Sequence, residues 1–293
     1  MMITVFTPTY NRAYIIDKLY ESLCSQTCPD FEWLIVDDGS TDDTEALIDS
    51  FIAERKINIR YVKQSNGGKH RAINRGVRLA KGELFFIVDS DDQLPCESIQ
   101  FVLTYYLQIK NETSFAGVSG LKYLFSGERI GGEVSFSVVD CSFVEFRTVY
   151  KVKGDLAEVY RTDILRQYPF PEIEGENFCP EAIVWYQIAQ KYKLRFFNEK
   201  IYLCDYLPDG LTNKITKLRM KNPVSSVLTY AEVYKAYKSF YKRMKFSINF
   251  WRFFFCMSRK QFNLLNKHML IYPNVFYLPL GFLYHIVDLL KIK

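Results

Sequence analysis

The most constraining stretch of this 293-residue chain is Leu84-Phe85-Phe86-Ile87-Val88, five consecutive apolar residues that run straight into Asp89-Ser90-Asp91-Asp92. A strand that is apolar on both faces has to be covered on both, which suits a central place in a parallel sheet wrapped by helices. Three further strand-like stretches precede it: Ile3 to Phe6, ending at Pro8, then Phe31 to Val36, then Ile57 to Val62. Helices are expected between them. Asn11 can cap one that carries Ile15, Ile16, Leu19 and Leu23 on a single face; Thr41 or Asp42 opens another with Ala46, Leu47, Ser50 and Phe51; Lys69 to Ala80 is a basic third, ended by Gly82. This alternation predicts an α/β fold with a mostly parallel central sheet flanked by helices.

Beyond Pro95 the pattern predicts a helix to Lys110, strands at Ala116 to Phe125 and Val134 to Val139, a helix over Pro180 to Lys191 and a strand at Leu194 to Phe197. From Thr216 the composition shifts to Tyr, Phe and Lys. The net charge of +5 hides an asymmetry, because residues 211 to 293 hold 15 Lys+Arg and only two acids, Glu232 and Asp288. That segment is +13 and the remainder −8, so an acidic working domain precedes a segment suited to an anionic partner.

Several classes drop out. With 48% apolar and 24% charged residues the chain can bury a sizeable core. Seven scattered cysteines do not read as a disulfide framework and fit a reducing compartment, and Cys24 and Cys28 lack the second pair that zinc needs. No basic and apolar leader opens the chain, so no secretory signal is expected. The most apolar window, Met269 to Val287, is interrupted by Pro273 and Pro279 and makes a poor membrane span. Neither Gly-x-Gly-x-x-Gly nor a phosphate-binding Gly-Lys-Ser/Thr loop is present, so dinucleotide oxidoreduction and P-loop hydrolysis lack their signatures.

Ligands of parallel sheets sit at the carboxyl ends of the strands. Asp37-Asp38 and Asp89 to Asp92 fall at two such ends, so as many as five carboxylates are expected to converge on one cleft. Their repulsion calls for a cation or hydrogen-bond donors, and a hard divalent ion, Mg²⁺ or Mn²⁺, takes carboxylate and phosphate oxygens. The plainer reading is that Asp and Gly terminate strands and cap helices.

Four blocks in order, Ile3 to Arg12 (ITVFTPTYNR), Trp33 to Asp42 (WLIVDDGSTD), Asn66 to Gly76 (NGGKHRAINRG) and Gly82 to Asp92 (GELFFIVDSDD), resemble the inverting nucleotide-sugar glycosyltransferases of family 2. The likeness covers about the first hundred residues and continues more weakly to about Leu211. It implies the A-type glycosyltransferase fold, with a nucleotide-sugar-binding half over 1–110, an acceptor half over 111–210 and a helical tail over 211–293. It also implies a UDP-sugar donor. Pro8 and Tyr10 would line the uracil and ribose pocket, Asp38 would accept a hydrogen bond from the base, and Lys69 would lie near the diphosphate. Lys69 can equally belong to a solvated basic face with His70, Arg71 and Arg75. Asp89-Ser90-Asp91 matches the family's Asp-x-Asp motif, with Asp89 towards the ribose and Asp91 as direct metal ligand; Asp92 would assist through water or cap the next element.

Displacing a nucleoside diphosphate from an anomeric carbon requires charge neutralisation on the leaving group and a base for the acceptor hydroxyl. The family's base stands at a helix start, and here the corresponding stretch is Pro180-Glu181-Ala182-Ile183-Val184-Trp185. Glu181 takes the base position, with Glu where Asp is usual and Pro180 replacing the preceding acid; alternatively it is a first-turn acid facing the helix dipole. Glu174, Glu176 and Asp155 are reserves. Trp185 is either a stacking platform for an acceptor sugar or a core aromatic. Asp209-Gly210-Leu211-Thr212 resembles the loop that closes over the donor, or is a plain turn.

In the tail, Val227, Tyr230, Ala231, Tyr234, Tyr237, Tyr241 and Met244 recur at helical spacing with lysines alongside, and Phe246 to Phe255 is more apolar still. Basic amphipathic helices rich in Trp and Phe lie in membrane interfaces; the alternative is that they pack together and only their lysines meet solvent. Nucleic acid is not expected as a partner. The reading is a metal-dependent transfer from a UDP-sugar to a saccharide acceptor, lipid-linked, by a cytoplasmic protein peripheral to the membrane, during cell-surface polysaccharide assembly. A sugar-phosphate nucleotidyltransferase, which should carry a Gly-rich loop near its N-terminus, and an inactive membrane-surface scaffold are the rivals.

Overall fold

The computed structural model describes residues 1–205, 214–268 and 272–292. Two compact units make up the chain: Met1–Pro169 with Lys191–Asp205, and Phe170–Gln190 with Tyr206–Lys293. In order, the first unit contains β1 (Ile3–Thr9), α1 (Ile16–Cys24), β2 (Phe31–Asp37), α2 (Thr44–Glu54), β3 (Ile59–Lys63), α3 (Lys69–Leu79), β4 (Leu84–Ile87), α4 (Ser98–Leu107), β5 (Phe115–Leu124), β6 (Val138–Cys141), α5 (Phe143–Thr148), β7 (Leu156–Arg161), α6 (Thr162–Leu165) and β8 (Lys193–Cys204). Among the described residues the strands form one eight-stranded sheet, β3-β2-β1-β4-β7-β5-β8-β6, flanked by helices.

The half from β3 to β4 is wholly parallel. Every residue of β1 and β2 is buried, as near-continuous apolar strands require. β7, which the apolar pattern did not flag, lies antiparallel between β4 and β5 and ends the parallel run; β5 and β8 then pair in parallel, with β6 antiparallel at the edge. Helix α3 sits so tightly on β1 that a Cβ at Gly76 would come within 2.2 Å of the Phe6 ring.

Two local expectations are corrected. Asn11 does not cap α1, whose N-cap is Ile15. With φ at +52° it bridges two loops instead, its amide donating to Ser40 Oγ at 2.8 Å and its Oδ1 accepting from the Thr41 amide at 2.8 Å. The buried face of α2 is Thr44, Ile48 and Phe51, and the helix begins at Thr44, three residues after Thr41 and two after Asp42.

At the amino ends of the strands, the buried Glu32 of β2 ties four segments together. Its Oε1 accepts from Thr4 Oγ1 at 2.7 Å and from the Lys81 amide at 2.9 Å, and its Oε2 pairs with Arg60 Nη1 at 2.8 Å. Burial opposes ionisation of Glu32, but the Arg60, Thr4 and Lys81 bonds outweigh it and hold the carboxyl below its ordinary range.

The second unit contains α7 (Ala182–Ala189), α8 (Ile215–Lys221), α9 (Pro223–Ala236), α10 (Phe240–Phe254), α11 (Arg259–His268) and α12 (Leu278–Ile292), the last preceded by a 3-10 turn at Val275–Tyr277. Val227, Ala231, Tyr237, Phe250 and Phe253 are buried, and Tyr230 stacks on Phe253. The aromatic face of α9 and much of α10 is therefore interior to this unit. Among the described residues no helix is long and apolar enough to cross a membrane.

Replacing Glu32 by Gln removes a buried, multiply bonded charge and should lower unfolding stability by about 2–4 kcal/mol, read by urea denaturation at neutral pH. A folded pKa below the unfolded one means that the carboxylate's contribution is complete above about pH 4.3 and is lost as pH falls through the folded value. The gap between wild type and Glu32→Gln should accordingly narrow in acid.

Candidate active site

The carboxyl ends of β1, β2 and β4 and the turn before α3 carry the residues that the sequence singles out. Pro8, near the end of β1, is buried beside Val36 of β2, and Tyr10, just past the strand, stands 48% exposed. Asp37 and Asp38 are buried and committed to the loops. Asp37 accepts from Tyr61 Oη at 2.5 Å and from the Ser40 amide at 2.7 Å. Asp38 Oδ1 accepts from Gln64 Nε2 at 2.8 Å and the Gly67 amide at 2.9 Å, and its Oδ2 accepts from the Gly68 amide at 2.7 Å. Gly68, at φ +96°, turns its N–H into that bond in a backbone region that favours glycine.

This corrects the expectation of five carboxylates in one cleft. Asp37 and Asp38 find donors in their own loops, which satisfies their charge without a cation, and among the described residues no three His, Cys, Asp or Glu are grouped to hold a metal. What remains open to a ligand is the loop after β4.

In that loop Lys69 Nζ, at the first turn of α3, meets both oxygens of Asp89 at 2.6 and 2.9 Å. Arg12 lies 3.9 Å from Asp91 Oδ2. Tyr202, fully buried in β8, accepts from the Asp89 amide at 3.0 Å and donates to Asp92 Oδ2 at 2.6 Å. Beyond Asp92, Gln93 and Leu203 exchange backbone hydrogen bonds at 2.9 Å in both directions, so β8 holds the loop at two consecutive residues. Lys122 of β5, cross-strand from Tyr202, places its ammonium 3.9 Å above the phenol ring.

Sequence reading missed Tyr202 and Lys122. The strand it assigned near them stopped at Phe197, whereas β8 runs on to Cys204. A lone lysine within the apolar run of β5 was the available signal.

The electrostatics distinguish the three acids. Burial disfavours the charge of Asp89, but Lys69, with help from Lys122 and Arg12, overrides it and keeps the carboxyl low. Asp91 is pushed up, first by burial and then by the Asp89 charge, with Arg12 pulling the other way. Asp92 is pushed up to about 7 by burial and by Asp89, against the Tyr202 hydrogen bond. Lys69 has thus taken Asp89, while Asp91 and Asp92 are both disfavoured as anions; Asp92 has the Tyr202 hydroxyl as donor, and Asp91 faces Arg12 at 3.9 Å. A hard divalent ion would relieve them, and such ions often use one or two protein carboxylates with phosphate oxygens and water. The donor set fits that group.

Glu181 stands at the N-cap position of α7, in the second unit. Trp185 is buried edge-on against Phe170, 6.1 Å between centroids, which assigns it to the core of that unit. Glu176 is 1% exposed and caps α9, accepting from the Val224 and Ser225 amides at 2.7 and 2.8 Å, which removes it from the reserve bases. Glu174 is exposed and pairs with Lys260, and Asp155 is exposed. Asp209, Gly210, Leu211 and Thr212 lie outside the described residues.

Comparison with known proteins bears on the fold and the family. Residues 4–118 match the family model Glycosyl transferase family 2. The glycosyltransferase GlyG of Streptococcus pneumoniae serotype 4 is 27% identical over 219 residues, 69% of this chain and 70% of that protein. A Campylobacter jejuni GalNAc(5)-diNAcBac-PP-undecaprenol beta-1,3-glucosyltransferase is 27% identical over 203 residues, 64% of this chain and 60% of that protein. The crystal structure of Staphylococcus aureus TarS 1-349 in complex with UDP superposes with a TM-score of 0.64 at 20% identity, over 89% of this chain and 73% of that one. The fold is of the A-type glycosyltransferase class. Residues 4–118 thus carry a glycosyl transferase family 2 domain, and with relatives that are named glycosyltransferases the chain is by class a glycosyltransferase.

Replacing Tyr202 by Phe deprives the Asp89 amide of its acceptor and Asp92 of its donor, both in buried surroundings. The expected cost is about 2–3 kcal/mol of unfolding free energy, measured as a lower urea midpoint at unchanged slope.

Proposed function

We propose that the protein transfers a sugar from a UDP-sugar to a hydroxyl of a saccharide acceptor, with inversion at the anomeric carbon and with a divalent ion, Mn²⁺ or Mg²⁺. The carrying observation is the loop after β4, where Lys69 Nζ meets both oxygens of Asp89 and Arg12 stands 3.9 Å from Asp91 Oδ2. UDP as the nucleotide is supported by the four sequence blocks and by the TarS complex whose fold this chain shares.

In this reading Tyr10 and Pro8 receive the uracil and ribose, and Asp38 does so through the Gly67-Gly68 turn that it braces. Asp89 faces the ribose. Asp91 would hold the metal, which when bound supplies positive charge to the departing diphosphate. Lys69 can exchange Asp89 for a phosphate oxygen when the donor enters, because both are anions within reach of its flexible stem. Glu181 takes the proton of the acceptor hydroxyl as general base. Its position at a helix start matches the family's pattern, and its identity as Glu lengthens the reach by one methylene relative to the usual Asp.

The acceptor is proposed to be lipid-linked and the protein to work peripherally at the cytoplasmic face of a membrane, in assembly of a cell-surface polysaccharide. The Campylobacter relative, whose name specifies an undecaprenol-linked acceptor, supports this, as does the +13 charge of residues 211 to 293.

A panel of nucleotide-sugars scored by nucleotide release with Mn²⁺ tests the donor; turnover with none of the UDP-sugars would end the reading. Asp91→Ala should weaken Mn²⁺-dependent UDP binding by at least about tenfold and remove turnover. Glu181→Gln should lower turnover by roughly 10²–10⁴ while leaving UDP affinity within about twofold. Loss of UDP binding in Glu181→Gln would instead assign that residue a structural role.

A further inference from the structure

Helix α12 is amphipathic in the reverse sense. The residues it buries are Gly281, His285 and Asp288, spaced four and three apart on one narrow seam. That seam is keyed to α10 and the residues just after it by close packing and polar bonds. A Cβ on Gly281 would fall 2.4 Å from Trp251 Cβ, Asp288 Oδ1 accepts from Arg252 Nη2 at 2.6 Å, and His285 Nδ1 lies 3.4 Å from Cys256 Sγ. The residues it exposes are apolar: Leu280, Leu283, Ile286, Val287, Leu289 and Leu290 are between 37% and 69% accessible. The turn before it continues the trend, with Val275 and Phe276 exposed at 65% and 78%. A helix that turns His285 and Asp288 inward and its leucines outward has been fixed in place by the former and left for another apolar phase by the latter.

We infer that α12, rather than the basic aromatic faces of α9 and α10, is the element that enters the interface of an anionic lipid bilayer. Two observations select a bilayer over a protein groove. The exposed apolar residues surround the helix on every side except the seam, a shape that fluid acyl chains can cover and a single protein surface cannot. Charge complementarity is the second. The only acids from residue 211 onward are consumed internally, Glu232 by Lys235 at 2.7 Å and Asp288 by Arg252, which leaves an excess of lysine and arginine for anionic headgroups. The inference deepens the membrane part of the proposed function and rests on it; it moves the contact to a helix lying in the window whose prolines argue against a spanning segment.

The test uses the full chain and vesicles of phosphatidylcholine with or without phosphatidylglycerol. Wild type should float with the anionic vesicles and much less with the neutral ones. The triple variant Leu283→Gln, Ile286→Gln, Leu290→Gln changes only exposed positions and should reduce flotation by roughly tenfold or more. A second variant, Leu283→Trp, should gain fluorescence that brominated acyl chains quench. Wild type that does not float with anionic vesicles, a triple variant that floats equally well, or added emission in Leu283→Trp that brominated chains leave unquenched would each overturn the inference. So would a wild type that is dimeric by light scattering while the triple variant is monomeric, because the face would then belong to a second copy. UDP binding with Mn²⁺, measured without vesicles on the same preparations, separates the two readings: flotation without UDP binding overturns the transferase chemistry and leaves α12 standing.

Discussion

Everything at the candidate site depends on how three neighbouring carboxylates are tolerated in a buried loop. Asp89, Asp91 and Asp92 follow directly from the central strand β4, and left to themselves they would repel one another in surroundings that screen poorly. The structure offsets them separately. Lys69 takes Asp89, Tyr202 bonds Asp92, and Asp91 is left with Arg12 at 3.9 Å and a raised pKa. Burial pushes both Asp91 and Asp92 up, Asp92 to about 7, so that of the three only Asp89 is fully offset by its partner.

The rest of the first unit serves that arrangement from a distance. The parallel half of the sheet brings the ends of β1, β2 and β4 to one edge, and the buried Glu32 bonds lock the opposite ends of the same strands. β8 returns from far along the chain to hold the carboxylate loop through Tyr202 and the Gln93–Leu203 bridge. The inserted antiparallel β7 separates the parallel half from β5 and β8. Loop geometry at the site is thus set by residues about 110 positions away as much as by its own.

In the second unit the charge and aromatic content of the tail divide between two jobs. Phe250, Trp251 and Phe253 of α10 and Tyr230 of α9 build the interior, where they stack and bury surface, while Phe240 and Tyr241 at the start of α10 stay exposed. The apolar residues of α12 are turned outward because Arg252 and Trp251 of α10 select its polar and glycine positions as the packing seam. Overall hydrophobicity could not distinguish these cases, since both segments are rich in apolar residues.

What the sequence determined by itself is local and periodic. Largely apolar runs at Ile3 to Phe6 and Phe31 to Val36 and the unbroken one at Leu84 to Val88 required burial on both faces and so a parallel sheet. The order of the four blocks was enough to recognise the family. That Asp37-Asp38 and Asp89 to Asp92 stand at strand ends was legible from the same pattern, whereas the roles proposed for Pro8, Tyr10 and Lys69 came from the resemblance alone. Only the tertiary structure decided which acids are already satisfied. Asp37 and Asp38 look like Asp89 and Asp91 in sequence, yet the first pair meets amides and a tyrosine hydroxyl that folding brings in. Glu176 and Trp185 were likewise indistinguishable from functional residues until a helix start and a phenylalanine were found against them. The outward face of α12 was hidden by the same limit: periodicity tells which residues share a side of a helix, but the side that faces the protein is chosen by whichever partner fits it best, and here that was a glycine, a histidine and an aspartate.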